Sequence, residues 1–395
     1  MATTGYAAAI DTGDIIMAYA PEATWGTLPA VAFQNIRLDG ESFASTKSRV
    51  RPNEIDPAGQ ASAAITTKKE SAGAINFSVS AGTHNALLAA SIGGTWSTPL
   101  AISGTTIAAT GSGFTDSNSG FISGGIAVGQ MIKVGGFTSP AAGTNGYYRV
   151  DTVAVGTIAT TPVPPTAKVA GDTVTIGGSY CRNGLVFQSY YFQKTLAAAL
   201  FLVYPGSWPT GGSLDVGVGD YLKGTLNFLH KSETSGTSDV STGAHTAAPT
   251  GNIIDSIGGI GTIYRNGVTI GGSIQKVGIK WNKEGARAQY VIGSSSAAGI
   301  GKGKLQVDGS LTSYFSTFTL YNEYVNETTG PIWFSALDNL GLGYVITLCN
   351  ATIMNPKIVA GGPNQDVMAD FSMEGNPGST TLYGGKTLQL DYFSA

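Results

Sequence analysis

The run "SAGAINFSVSAGTHNALLAASIGGTW", residues 71–96, changes its hydrophobic period midway. Ile75, Phe77 and Val79 alternate with small or polar residues and so share one face, the pattern of a half-buried strand. Beyond it Ala86, Leu87 and Ala90 recur at helical spacing, with Thr83 placed as N-cap and the Gly93-Gly94 pair as the stop. Upstream, "AFQNIRLDGESF" (residues 32–43) alternates as a strand after the turn "TWGTLP". Between the two strands lies "ASTKSRVRPNEIDPAGQASAAITTKKESAG", polar and carrying two prolines, which reads as a long hairpin arm. Loops of that length in compact domains usually carry function.

From residue 99 to 178 the text becomes short β segments ("TTIAAT", "GQMIKVGGF", "GYYRVDTVAV", "DTVTIGG") punctuated by Gly, Ser, Asn and Pro. This spacing predicts a small β-sandwich or barrel, inserted because the strand text on either side continues one theme. That theme resumes in the aromatic strand "NGLVFQSYYFQ" and in the hairpin "GSLDVGVGDYLKGTLNFLHKS". There Leu214, Val216 and Val218 alternate before the turn, and Leu222, Leu226 and Phe228 after it. Residues 232–252 are rich in Ser, Thr and Gly, which predicts a flexible, exposed linker.

The second half repeats this order. "SIQKVGIKWN" stands for the opening strand, "KEGARAQYVIGSSSAAGIG" for a shorter arm and "GKLQVDGS" for "GAINFSVS". "LTSYFSTFTLYNEY" stands for the helix, with Tyr314, Phe315 and Phe318 as its apolar stripe. "GYVITLCNATIM" and "PKIVAGGPNQDVMADFSMEG" stand for the aromatic strand and the hairpin. A repeated order of elements points to an internal duplication. The fold class expected is mainly β: two β-sandwich or barrel modules, each with a short flanking α-helix, plus an inserted small β domain. The first module takes residues 1–97 and 179–231, the immunoglobulin-like insert 98–178, the linker 232–252 and the second module 253–395.

Composition narrows what such a chain does. At 395 residues there is room for roughly two to three domains of about 150 residues. Charged residues are only 12%, about half the usual share, which suggests surface that other subunits cover. A formal net charge of −3 leaves no basic footprint for gripping nucleic acid. No apolar run approaches the ~18 residues of a membrane span, so no membrane insertion is expected. The opening "MATTGYAAAIDTGD" makes a poor signal peptide and reads as a flexible arm. Cys181 and Cys349 lie far apart in strand-like contexts and read as buried, reduced thiols.

Candidate chemistry is thin. His84, His230 and His245 sit in unrelated contexts without H-x-x-x-H or C-x-x-C spacing, so no metal site is expected, and His84 and His245 read as solvated. "GIGKGKLQ" lacks the Ser or Thr that a phosphate loop needs after Gly-Lys, and "GGIGTIYRNG" lacks a βαβ unit, so both read as turns. Acid pairs such as Glu22 with Asp39, or Asp366 with Asp370, read as solvated loop carboxylates. No cofactor is called for, and the chain does not read as an enzyme. The arm is the one charged cluster: Arg49, Arg51, Glu54, Asp56, Lys68, Lys69 and Glu70. It is either an ordinary solvated hairpin tip or a docking arm that orders against a neighbour, and its mixed signs favour a protein partner.

These segments carry a resemblance. "PEATWGTLPAVAFQNIRLDGESF", "SRVRPNEIDPAGQ" and the strand-helix stretch ending "GGTW" resemble the opening of tail tube proteins of long-tailed, non-contractile bacteriophages. "GKLQVDGSLTSYF", "IWFSALDNLGLGYVITL" and "GGPNQDVMADF" are similar to that family's C-terminal part. The resemblance implies modules packed side by side into a ring, one sheet of each closing a β-barrel around a channel for double-stranded DNA. Rings would stack through an arm, for which residues 47–73 are the candidate. With six modules per ring, three chains complete it; six chains of single modules is the other arrangement. Tape-measure, initiator and terminator proteins would be partners, the insert an outer decoration, and the location the virion tail after synthesis in the host cytoplasm. The alternative from the residues alone is a β-rich surface or adhesion protein binding glycans or other proteins.

Overall fold

The structure, a computed structural model, describes residues 10–270 and 274–394. Most of the segment expected as an N-terminal arm, residues 1–9, lies outside the described residues. The chain is mainly β, as expected, and its strands fall into two units with the same ladder order.

In the first unit the strands are β1 (Ile16–Pro21), β2 (Ala44–Val50), β3 (Ile65–Ser78), β4 (Tyr190–Ala197), β5 (Leu200–Gly217) and β6 (Lys223–His230), with helix α1 (Asn85–Ile92) after β3. The antiparallel order is β1-β4-β5-β6-β3-β2. In the second unit they are β7 (Ile260–Arg265), β8 (Ile274–Glu284), β9 (Lys304–Tyr314), β10 (Thr329–Leu337), β11 (Gly343–Val359) and β12 (Met368–Gly375), with helix α2 (Thr319–Val325) after β9. Their order is β7-β10-β11-β12-β9-β8, the same sequence of connections. A last strand, β13 (Leu388–Phe393), flanks β11. Each unit folds its long middle strand between two sheets. The N-terminal half of β5 pairs with β4 and its C-terminal half with β6; β11 divides between β10 and β12 in the same way.

Several local expectations give way to this packing. Residues 32–43 form no continuous strand: Gln34 pairs with Tyr19 of β1, whereas Gly40 pairs with Asn76 of β3. The segment crosses from one sheet to the other, which no single strand does. β1 itself shows no alternation because Met17, Ala18, Tyr19 and Ala20 are all buried, covered on both faces. Helix α1 is capped at His84 without a side-chain bond, and Thr83 bonds Ser80 instead. Ala86 is exposed while every residue from Leu87 to Ile92 is buried, so the helix is a wedge in the core. Gly93 ends it at φ 66°, where a Cβ would stand 2.6 Å from Gly184 O. In the second unit Tyr314 belongs to β9, and Phe315 and Phe318 precede α2, of which only Leu320 is buried. The expected helical stripe is the continuation of a strand and its turn.

His84 is not solvated. It is 2% exposed, stacked on Phe77 with ring centroids 3.9 Å apart, and its Nε2–H donates to Arg37 O at 2.9 Å. Burial pushes its pKa down to about 4, and pushes that of His230, buried against Ser207, down to about 3. Both folded values lie below the ordinary histidine value, so the stability of the neutral rings is full above pH 6.5 and falls with acidification toward pH 4. His84→Gln keeps a donor for Arg37 O but cannot titrate. In denaturant titrations between pH 6.5 and 4 it should flatten the loss of stability by about 1 kcal/mol per pH unit. An unchanged slope would show the ring to be hydrated.

Residues 99–178 hold a hydrophobic cluster of their own, including Ile107, Phe114, Phe121, Ile132, Tyr148 and Val150. Their strands run Leu100–Gly104, Val174–Arg182, Met131–Gly135, Gly146–Ala154, Thr157–Thr161, Gly113–Asp116, Ile107–Thr110 in ladder order. The Val174–Arg182 strand is the joint, since its far end pairs with β13. A buried network fixes that joint: Asp391 accepts from Met131 N and Gln389 Nε2, and Gln389 accepts from Arg182 Nε. Residues 232–252 lie along the first unit: Ser241 Oγ accepts from Phe33 N, Thr246 bridges Gln34, and Arg37 donates to Gly251 O. His245, expected to be solvated, stacks on Phe33 and bonds Asn35. Cys181 and Cys349 are buried free thiols, in line with the sequence.

Candidate channel face and assembly edges

The two units are joined by backbone hydrogen bonds. Residues 211–217 of β5 pair antiparallel with residues 276–282 of β8. One sheet therefore runs β2-β3-β6-β5-β8-β9-β12-β11 across both units. Its inner face is apolar: Leu214 stands opposite Ile279 and Val216 opposite Val277, all buried. Trp281, 1% exposed, fills the joint and donates from Nε1 to Ser91 Oγ of α1 at 3.0 Å. Its opposite residue must be Gly212, where a Cβ would meet the indole at 2.8 Å. Lys283, next but one along β8, is also buried and donates to Ala90 O and Pro209 O at 3.1 and 2.9 Å. Burial pushes its pKa down to about 7.

The other face of this sheet is polar. Thr225 donates to Asn76 and Thr312 to Asp370, at 2.9 and 2.7 Å. Lys280 lies in register between Ser213 and Asp308, and Ser310 opposite Ser372. Lys223, Lys276, Lys280 and Lys357 are matched by Asp215, Asp308, Asp370 and Glu374, so the charges balance. Such a face offers polyanions no concentrated positive field and no stacking platform.

The arm is a real hairpin: among the described residues β2 pairs with β3 alone, and residues 51–64 project beyond it, exposed almost throughout. Arg49 and Arg51 donate to Ala64 O and Ser62 O within the arm. Glu54 accepts from Ser62 Oγ and Asp56 from Ala58 N. Lys68 and Glu70 pair at 2.6 Å on the surface, and Lys69 is held through its backbone by Ser295 and Tyr290. The structure thus brings Lys68, Lys69 and Glu70 together at the arm's base and leaves Arg49, Arg51, Glu54 and Asp56 along its stem and tip. At the tip Ile55 is 99% exposed, an apolar side chain with nothing to cover it in a single copy.

A polar sheet face spanning two units, open edges and a projecting arm are features of a subunit built to join others. Over residues 12–375 the chain matches the sequence model of the family described as phage tail tube protein. The chain belongs to the phage tail tube family. None of the curated proteins matches it in sequence.

A tail tube protein is a structural component of the phage virion, located in the tail and assembling with copies of itself. That role accounts for the sparse charge. Among the described residues no group of three side chains is arranged to hold a metal, and no helix is long and apolar enough to cross a membrane. The residues that sequence reasoning missed are those of the polar face. Asn76, Ser213, Asp215, Lys280, Asp308 and Thr312 lie on four different strands, and the only local signal was the polar half of each alternation.

Proposed function

We propose that three copies of this tail tube protein close one ring, each contributing two β units, and that stacked rings enclose a channel through which double-stranded DNA passes. The observation that carries this reading is the β5–β8 ladder. It joins two units of identical order edge to edge, as neighbouring subunits would be joined in a ring. Closure of such a sheet removes exposed strand edges. The polar face then lines the channel, and its balanced charge lets DNA slide, because each phosphate–cation contact would add affinity that slows passage.

Residues 98–178 form the outer decoration, a position supported by their attachment through β13 and not through the eight-strand sheet. The arm reaches the next ring, with Ile55 and the charges around it as the docking surface. Stacking of this head-to-tail kind does not close, and so it makes a filament. Tape-measure, initiator and terminator proteins are the expected tail partners.

Electron microscopy of the concentrated protein, averaged in end view, tests the reading. Hollow tubes with three-fold rings and six similar lobes are expected. Six chains per ring would keep the tube and overturn the two-unit arrangement. Monomers alone, even with tail initiator added, would overturn the tube itself and favour an adhesin.

A further inference from the structure

We infer that the seam between copies is an antiparallel ladder between the free edge of β11 and, in a second copy of this chain, the free edge of β2 and the residues just before it, with Lys357 opposite Ala44 and Val359 opposite Ser42. The inference rests on the ring reading and specifies its contact. It starts from an asymmetry between the two units. β4 leaves β5 at Ser207, and the next stretch of that edge, residues 211–217, is taken by β8. β10 leaves β11 at Thr352 in the same way, yet among the described residues the stretch 353–359 pairs with β12 only. The counterpart of β8 in the first unit is β2, which among the described residues pairs with β3 only. One copy therefore ends in two unpaired edges whose equivalents are already bonded to each other inside the chain. Unpaired edges of this kind are templates for a further strand.

The register follows from the ladders. Val307 and Ser71 each face the last residue of the neighbouring strand, Gly375 and His230. Their other neighbours are Trp281 and Ser45, so Ser45 corresponds to Trp281, Ala44 to Lys280 and Ser42 to Gly278. On the facing strands the same anchor makes Thr225 correspond to Asp370 and Lys223 to Met368, so their partners Ser213 and Asp215 of β5 correspond to Lys357 and Val359 of β11. Lys280 pairs with Ser213 and Gly278 with Asp215, which places Ala44 on Lys357 and Ser42 on Val359. The faces agree. Lys357 stands beside Asp370 and Ala44 beside Ala72, all exposed on the polar side, and a slip of one residue would turn one set inward. Directly opposite side chains have Cβ atoms about 5 Å apart, close enough for a short cross-link.

The test is thiol cross-linking of assembled tubes with a short bifunctional reagent. Ala44→Cys with Lys357→Cys, and Ser42→Cys with Val359→Cys, should each give covalent dimers and trimers on denaturing gels. The single variants should give none, because Cys181 and Cys349 are buried. Ala44→Cys with Ile358→Cys, one residue out of register, should link at least about tenfold less. Hydrogen exchange on the unmodified protein is the companion measurement: amides of residues 42–44 and 357–359 should become protected on going from free subunits to tubes. Tubes that form without either signal overturn the seam and leave the tube reading intact. Dimers from Ala44→Cys alone would show β2 pairing with β2, which also overturns it. Failure of the unmodified protein to form tubes would overturn the ring reading and the seam with it.

Discussion

Trp281→Ala is expected to lower the unfolding free energy by about 3–5 kcal/mol, the range for deleting a large buried aromatic side chain. The indole is 1% exposed, lies on the strand of the second unit that pairs with β5 of the first, and hydrogen-bonds Ser91 on the helix of the first. Truncation leaves a cavity where the two units meet, and Gly212, with no side chain, cannot fill it. It also leaves the buried Ser91 hydroxyl without its donor. The check is the denaturant midpoint, with Lys280→Ala as control on the polar face of the same strand. That control should stay within about 0.5 kcal/mol. Because the joint holds the two units in register, Trp281→Ala should also reduce tube yield at temperatures where monomers remain folded. An equal effect of the two substitutions would mean that the joint contributes no more than surface.

Arg265→Ala is the second large effect, expected at about 3–5 kcal/mol because it breaks a buried ion pair and strands its partners. Arg265 is 4% exposed at the end of β7. Its Nε donates to Glu323 of α2 at 2.7 Å, its Nη2 to Thr328 O at 3.0 Å, and its Nη1 to Gly330 O and Ala351 O. One guanidinium thus ties β7, α2, β10 and β11 together. Without it three carbonyls and a carboxylate lose their donor. The double variant Arg265→Met with Glu323→Leu should recover part of the loss, since apolar packing in place of both partners leaves no orphaned charge. Denaturant midpoints for the cycle, together with faster amide exchange in α2 of the single variant, would establish the role. A double variant as unstable as the single one would assign the loss to packing of the Arg265 stem.

The repeat was legible in the order of elements, because amphipathic period is a local property that each segment carries by itself. Ile75, Phe77 and Val79 are buried as their alternation requires, and so are Leu214, Val216, Leu226 and Phe228. The family was legible for the same reason, in motifs that keep their order along the chain. What failed locally failed where packing overrides period. β1 is buried on both faces and shows no alternation; Ala86 turns outward from a helix otherwise buried; and residues 32–43 alternate yet cross between sheets. His84 reads from the sequence as solvated and is stacked in the core.

By itself, then, the sequence determined that the chain is β-rich, that its text says one thing twice and that it carries a long charged hairpin arm. Only the tertiary structure decided which strands become neighbours: that β5 takes β8 on its free edge, that the polar halves of many strands merge into one balanced face, and that among the described residues one edge of β2 and one of β11 stay unpaired. The physical reason is that side-chain period encodes which face of a strand is buried, whereas edge pairing rests on backbone groups that every residue carries alike. Those groups acquire partners only when distant segments meet, so the edges by which copies would join cannot be read from any one segment.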